Sequence, residues 1–245
     1  MRFNVLQWNV WFKEDIDNVI GVLREINPDV ICLQELTQGY AEQSQDNTWE
    51  HIKHELGYYG VHQTIPIVTD SDEWLQANAI FSRYPLHARQ EEWLHEPHNL
   101  DDPSDQFRGY LEAVVTIKGV QTTIGTAHMS FLNYEGDDDP ELRKLLEIRS
   151  RKRGKYILTT DANAEPSSRR ITELAQHLKH AGPPYSENTW TTKVHKTPEF
   201  EASALDWRYD YVFVSPDITV LDATIIDTDV SDHLPVLVTV DVPNN

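Results

Sequence analysis

The stretch FNVLQWNVWFKEDIDNVIGVLREINPDVICLQE, from Phe3 to Glu35, decides how this chain folds. Phe3 to Val10 alternates and is rich in β-formers, so it reads as a strand. Asp15 then offers an N-cap, and Ile16, Val19, Ile20, Leu23 and Ile26 follow at helical spacing until Pro28 stops them. The compact apolar run Val30-Ile31-Cys32-Leu33 predicts a buried strand that delivers Gln34 and Glu35 at its C-terminal edge. Strand, helix and buried strand in succession are the building unit of an α/β protein.

The same alternation continues outward. Trp49, Ile52 and Leu56 mark a second helix stopped by Gly57, and Ala79 to Phe81 reads as a strand. Leu111 to Ile117 and Gln121 to Ala127 form a hairpin across Lys118-Gly119. Asp139-Pro140 opens a third helix carrying Leu142, Leu145, Leu146 and Ile148, with proline at a tolerated early position. Tyr156 to Leu158 leads to Asp161 as a strand, and Ile171, Leu174 and Leu178 place a fourth helix. Asp210 to Ser215, Thr219 to Ile226 and Pro235 to Val242 complete the strands. The acidic, proline-containing segments Glu91 to Asp105 and Glu135 to Pro140 read as loops, so residues 1–245 are expected to form one domain. Two antiparallel-leaning sheets packed face to face with helices outside satisfy the pattern.

Acidic residues outnumber Lys plus Arg by 40 to 21, a formal net charge of −19. That balance works against non-specific attraction to polyanions and favours binding of divalent cations by clustered carboxylates. Cys32 is the single cysteine, which excludes an intramolecular disulfide and a thiolate zinc site. With no long apolar run, the chain is expected to be cytoplasmic, monomeric and without stable membrane anchoring.

Polar residues recur where the strands end: Asn9, Glu35, His128, Asp161 with Asn163, and Asp232 with His233. Singly, each has a structural explanation; together they mark a site, because ligand sites of α/β proteins concentrate at strand ends. Carboxylates with an amide oxygen make a hard, incomplete oxygen shell suited to Mg²⁺. A histidine beside an aspartate can stabilise a crowded phosphate and orient an attacking water. The P-loop, the paired-histidine zinc pattern and the Gly-x-Ser-x-Gly elbow are absent.

These residues sit in Gln7-Trp8-Asn9, Leu33-Gln34-Glu35, Asn78 to Pro85, Arg108-Gly109-Tyr110-Leu111, Thr126-Ala127-His128, Thr160 to Asn163, Arg208 to Tyr211 and Ser231 to Pro235. In that order the set resembles the endonuclease/exonuclease/phosphatase superfamily, which includes DNase I, abasic-site nucleases, neutral sphingomyelinases and inositol polyphosphate 5-phosphatases. The resemblance implies an α/β fold, a four-layer αββα sandwich of two mixed sheets. It implies Mg²⁺, with Mn²⁺ able to substitute, held by Glu35, Asn9 and Asp232. Asp161, His233, His128 and Asp210 would be catalytic, and Asn163, Asn78 and Arg108 would bind the substrate phosphate. Thr160 departs from the glycine usual before Asp-x-Asn, which bears on the local backbone.

The substrate is less defined. Asp161 to Glu165 with Ser167 and Ser168 resembles DNase I, Trp207 to Tyr211 resembles abasic-site nucleases, and Thr189-Trp190 resembles sphingomyelinases and DNA-end-processing enzymes. Nucleic acid is the leading partner, a small phosphate ester or lipid headgroup the alternative, and a binding module without turnover the third reading. The basic cluster Arg143, Lys144, Arg149, Arg151, Lys152, Arg153 and Lys155 reads first as a solvated helix end and second as a DNA-binding ridge. Trp74, Trp93 and Trp190 fall in or near expected loops, where they could anchor the loops or stack on a base.

Overall fold

The computed structural model describes residues 1–68, 73–99, 105–131, 138–196 and 200–244. Its opening unit is β1 (Arg2–Asn9), α1 (Ile16–Ile26) and β2 (Val30–Gln38). The two strands lie parallel, with Asn9 level with Gln34. α1 starts where the Asp15 carboxylate accepts the Asp17 N–H, and it ends at Asn27, whose left-handed backbone returns its N–H to the Leu23 carbonyl.

There follow α2 (Thr48–Leu56), β3 (Tyr59–Val68), β4 (Glu73–Ser82), β5 (Leu86–His95), β6 (Arg108–Ile117), β7 (Val120–His128), α3 (Pro140–Ser150) and β8 (Tyr156–Asp161). The chain continues through α4 (Arg169–His177), β9 (Lys179–His180), β10 (His195–Lys196), β11 (Glu201–Ala202), β12 (Asp210–Val214), β13 (Thr219–Ile225) and β14 (Val236–Asp241). One six-stranded sheet runs β13-β14-β1-β2-β4-β3, the other β5-β6-β7-β8-β12-β9, and β10-β11 is a separate ribbon. Each large sheet is mixed: β1–β2 and β7–β8 are parallel and their other neighbours antiparallel.

The layers follow from which faces are apolar. Val5, Val30, Cys32 and Ile80 of one sheet meet Leu111, Ala113, Ile157 and Val212 of the other. Burial pushes the Cys32 thiol up to about 12, so it is an inert part of this core. Ile16, Ile20, Trp49 and Ile52 of α1 and α2 cover the outer face of the first sheet. Leu142, Leu145, Ile171 and Leu174 of α3 and α4 cover that of the second. The result is the four-layer αββα sandwich.

Two of the longer strands depart from the sequence reading, and the two-residue strands β9, β10 and β11 have no counterpart in it. β3 was not foreseen, and β5 takes up Glu91 to His95, expected as loop. β5 is an edge strand with residues 87–91 exposed, so it is held by backbone pairing to β6 and leaves little apolar alternation to read. Pro140 begins α3 behind the Asp139 cap, as the sequence reading has it; residues 100–104 and 135–137 of the two expected loops lie outside the described residues. Among the described residues no helix is long and apolar enough to cross a membrane.

The basic cluster is paired with acids. Arg143 meets Asp138 at 2.6 Å, Lys144 and Arg151 converge on Glu92 at 3.0 and 3.1 Å, and Lys152 reaches Glu112. Arg149 lies over the Tyr156 ring. These contacts neutralise most of what would have been a DNA-binding ridge.

Candidate active site

Strand register assembles the site. Parallel pairing of β7 with β8 sets His128 beside Asp161, and antiparallel pairing of β8 with β12 sets Asp210 on the other side of it. Thr160 runs in regular strand here, paired with Ala127 and Tyr211, so the threonine fits without distortion. The first sheet contributes Asn9 from the end of β1 and Glu35 from within β2. Between Leu33 and Leu36 the β2–β4 register slips, and Glu35 adopts a left-handed φ of 62°. That bulge turns its carboxylate into the cleft. Asn163 (φ 46°) and Trp11 (φ 58°) share this uncommon region beside the same cleft.

The side chains interlock. The Asn9 amide donates to Glu35 Oε1 and Asp161 Oδ2, both at 2.9 Å, while the Phe12 N–H donates to Glu35 Oε2 at 3.2 Å. His233 Nδ1 and Asp210 Oδ2 are 2.8 Å apart, and His233 Nε2 lies 3.7 Å from Asp161 Oδ2. His128 Nε2 stands 3.6 Å from that same oxygen. The Asn163 amide and the Arg108 guanidinium approach His128 Nε2 at 3.3 and 3.4 Å. Both are donors, which makes Nε2 the acceptor and leaves the imidazole proton on Nδ1. The Ser231 hydroxyl donates to the Asn9 carbonyl and accepts the His233 N–H, and the Trp8 indole binds the His233 carbonyl.

A family model described as Endonuclease/Exonuclease/phosphatase family matches residues 6–233. The chain belongs to that family. Solved structures with the same architecture include an endonuclease/exonuclease/phosphatase from Beutenbergia cavernae, 18% identical, covering 98% of this chain and 72% of that one with a TM-score of 0.76. A mannosyl-6-phosphatase from Bacteroides thetaiotaomicron is 14% identical over 98% of this chain and 99% of its own, with a TM-score of 0.66. TDP2 from D. rerio, complexed with a single-strand DNA product, is 17% identical over 98% and 99%, with a TM-score of 0.69. At these identities the likeness is one of fold. Among curated protein sequences there is no match.

Members of the endonuclease/exonuclease/phosphatase family hydrolyse phosphoesters, and the electrostatics of this member suit such a reaction. The surroundings push the two histidines in opposite directions. Burial alone would lower His233, yet the charges of Asp210, Asp232 and Asp161 raise it well above the ordinary histidine value. Burial, Arg108 and His233 lower His128 well below it. Burial raises Asp161 to about 7, with the charge of Asp210 adding to it and His233 opposing it. Glu35 is raised too, by burial and then by the charge of Asp232. Asp161, Asp210 and His233 form a buried acidic and histidine cluster whose ligand atoms lie within 4.8 Å of one another, close enough to hold a metal ion.

Two residues expected at the phosphate or metal sit differently from the rest. Asn78 is fully buried and gives its amide N–H to the Gly109 carbonyl at 3.0 Å, behind Arg108. Asp232 Oδ2 accepts the Trp190 indole N–H at 3.1 Å and lies 3.0 Å from His195 Nε2. Of the three tryptophans, Trp190 is buried by this contact, Trp93 packs on Phe107, and Trp74 lies in β4 against Phe12 and Tyr40.

Several supporting residues carried no sequence signal of their role. Gln7 donates to Asp210 Oδ1 at 3.3 Å, and Gln34, bonded to Gln7, donates to Thr126 Oγ1 at 2.8 Å. Arg208, fully buried, binds the carbonyls of Asp210 and Glu187, while the Thr189 hydroxyl accepts the N–H groups of Tyr209 and Asp210. Asp210 is thereby fixed at both its backbone and its carboxylate. Gln7, Gln34 and Arg208 belong to the quoted motifs, whereas His195 belongs to none and is found only through its contact with Asp232.

Proposed function

We propose that this protein is a Mg²⁺-dependent phosphodiesterase acting on nucleic acid, at ends or lesions and not along undamaged duplex. The observation that carries the reading is the convergence of His233 Nε2 and His128 Nε2 on Asp161 Oδ2, with the Arg108 guanidinium behind His128 and Glu35 joined to Asp161 through the Asn9 amide.

A divalent ion fits the charge balance. Glu35, Asp161, Asp210 and Asp232 outnumber the cations His233 and Arg108 facing them, and buried carboxylates of like charge need compensation. Glu35 is the open one, its side chain 16% exposed and turned into the cleft by the bulge, with the Asn9 amide bonded to it and the charge of Asp232 felt by it. Hard oxygen donors of this kind select Mg²⁺, with Mn²⁺ as substitute. When bound, the ion polarises the phosphoryl oxygens and offsets their developing charge.

The protein groups perform the remainder. Asp161 Oδ2, oriented by Asn9, takes the proton of a water attacking phosphorus in line, and a carboxyl near 7 is matched to that task at neutral pH. His233 Nε2–H donates to a non-bridging oxygen while Asp210 holds its ring. Asn163 and Arg108 bind the other oxygens, and the P–O bond opposite the water breaks, its electron pair leaving on the ester oxygen, which takes a proton from solvent. Asn78 serves from behind by bracing Gly109 and so Arg108.

Four of the seven cations at the basic helix end are paired with acids, which supports a substrate bound in the cleft over long duplex laid along that ridge. A panel with Mg²⁺ tests this: nicked, abasic, single-stranded and 5′-blocked DNA, RNA, sphingomyelin and inositol phosphates. Turnover of nucleic-acid phosphodiesters, falling as salt rises, is expected; turnover confined to lipid or sugar phosphates would overturn it.

A further inference from the structure

The Glu35 side of the cleft carries a row of partly exposed rings that the reaction itself does not use. Trp11 comes two residues after Asn9, its left-handed backbone held by an N–H bond to Asn9 Oδ1 at 3.0 Å. Its ring meets His195 edge-on at 6.0 Å, and the Lys13 ammonium stands 5.8 Å from its centroid. The same ammonium lies 5.4 Å from the Phe12 centroid. Phe12 packs on Trp74 at 5.3 Å and Tyr40 at 5.4 Å, and Tyr40 on Trp74 at 4.7 Å. Because the Phe12 N–H binds Glu35 and His195 reaches Asp232, the row is joined to the reactive centre at both points.

These rings are not spent on the core. Trp8 and Trp49 are buried beneath α1 and α2, whereas Trp11, Phe12, Tyr40 and Trp74 all keep part of their surface in solvent. Lys13 is exposed, and among the described residues no carboxylate lies in ion-pair range of it. The row offers little to sugar hydroxyls: the Gln43 amide is committed to the carbonyls of Phe12 and Glu14, and the Tyr40 hydroxyl to Glu42.

We propose that this row is a stacking subsite for successive bases of a single-stranded nucleic acid whose phosphate is cut at Asp161, with Lys13 meeting a neighbouring phosphate. The assignment rests on the phosphodiesterase reading and adds the source of affinity. A body of net charge −19 repels a phosphate backbone, so the few local cations at the cleft need support from contacts that do not depend on charge. Stacking on aromatic faces is such a contact, and every base presents a π-face to it.

The test compares steady-state hydrolysis of two oligonucleotides of equal length, one normal and one with abasic tetrahydrofuran residues flanking the scissile phosphate. Wild-type protein should show a KM about 10-fold or more lower for the base-bearing strand. Trp11→Ala and Trp74→Ala should each bring the two KM values to within about twofold, with Trp→Phe at either position restoring most of the difference. Lys13→Ala should reduce the slope of log KM against log salt by about one. Equal KM values in the wild type, or a difference that survives both alanine variants, would overturn the subsite. If neither strand is hydrolysed, the phosphodiesterase reading falls and the subsite is judged by quenching of tryptophan fluorescence. Quenching that needs bases and is lost in Trp11→Ala supports it, and quenching equal for both strands overturns it.

Discussion

Replacing Asp210 by asparagine isolates one charge at the centre of the site. The side chains are nearly isosteric, and Arg208 and Thr189 hold the backbone at this position, so the amide should occupy the place of the carboxylate. Gln7 donates to Oδ1, which leaves the introduced NH₂ facing His233 Nδ1 and forces that nitrogen to accept. Asp210 is the largest of the charges that keep His233 protonated against its burial. With it gone, the ring turns neutral and meets the phosphate as a weaker donor. A hydrogen bond to a charged group contributes about 1.5–3 kcal/mol, and losing one transition-state donor costs roughly 10²–10³ in kcat. The assay is Mg²⁺-dependent hydrolysis of an aryl phosphodiester across pH. His233 has a raised value, so its proton is present at neutral pH and is lost as pH rises through that value. In Asp210→Asn the basic limb should therefore move to lower pH, together with a loss in kcat of about 10²–10³. A variant within threefold of wild type, or a basic limb that stays in place, would refute the reasoning.

Gly125→Ala should destabilise the fold, because a Cβ there would lie 2.6 Å from the Tyr110 hydroxyl and 2.8 Å from the Tyr156 hydroxyl, two buried rings bonded to each other at 3.0 Å. Overpacking of this kind costs about 1–3 kcal/mol, or a fall in Tm of about 3–10 °C at this chain length, and an unchanged Tm would contradict the packing described. His180, its ring tilted against Tyr185 at 4.2 Å, is pushed down to about 4 by burial and by Arg208. Its neutral form is favoured in the folded state, so the stability it contributes is full above the unfolded value and lost as pH falls toward 4. His180→Gln should reduce the stability lost between pH 6.5 and 4 by about 1–2 kcal/mol after allowance for partial exposure, read as urea midpoints at both pH values. Equal losses in the two proteins would count against it.

What the sequence disclosed and what it hid divide along physical lines. The helices were legible because each buries one stripe and is capped by a side chain that accepts a backbone N–H, as at Asp15 and Asp139. Asn9, His128 and Asp161 were legible as strand-end residues because the motifs place them in order, and strand register then sets His128, Asp161 and Asp210 side by side, whereas Glu35 lies within β2, which runs on to Gln38. β5 was not legible because an exposed edge strand needs no alternating side chains. The pairing of Lys144 and Arg151 with Glu92 could not be read, since these partners are far apart in sequence. Nor could the bulge at Glu35, which arises from a register slip against β4, or the contact of His195 with Asp232, which depends on the path of the β10–β11 ribbon.

The central claim is that a metal held at Glu35 and a base at Asp161 hydrolyse a phosphoester. It is tested most directly by titrating Mg²⁺ into chelator-stripped protein and following aryl phosphodiester hydrolysis for wild type, Glu35→Gln and Asp161→Asn. The account predicts activity that appears with Mg²⁺ and is abolished by EDTA, a half-saturating Mg²⁺ concentration raised about 10-fold or more in Glu35→Gln, and a loss of about 10² or more in kcat for Asp161→Asn. Activity that persists after chelation, or an Asp161→Asn variant as fast as wild type, would contradict it.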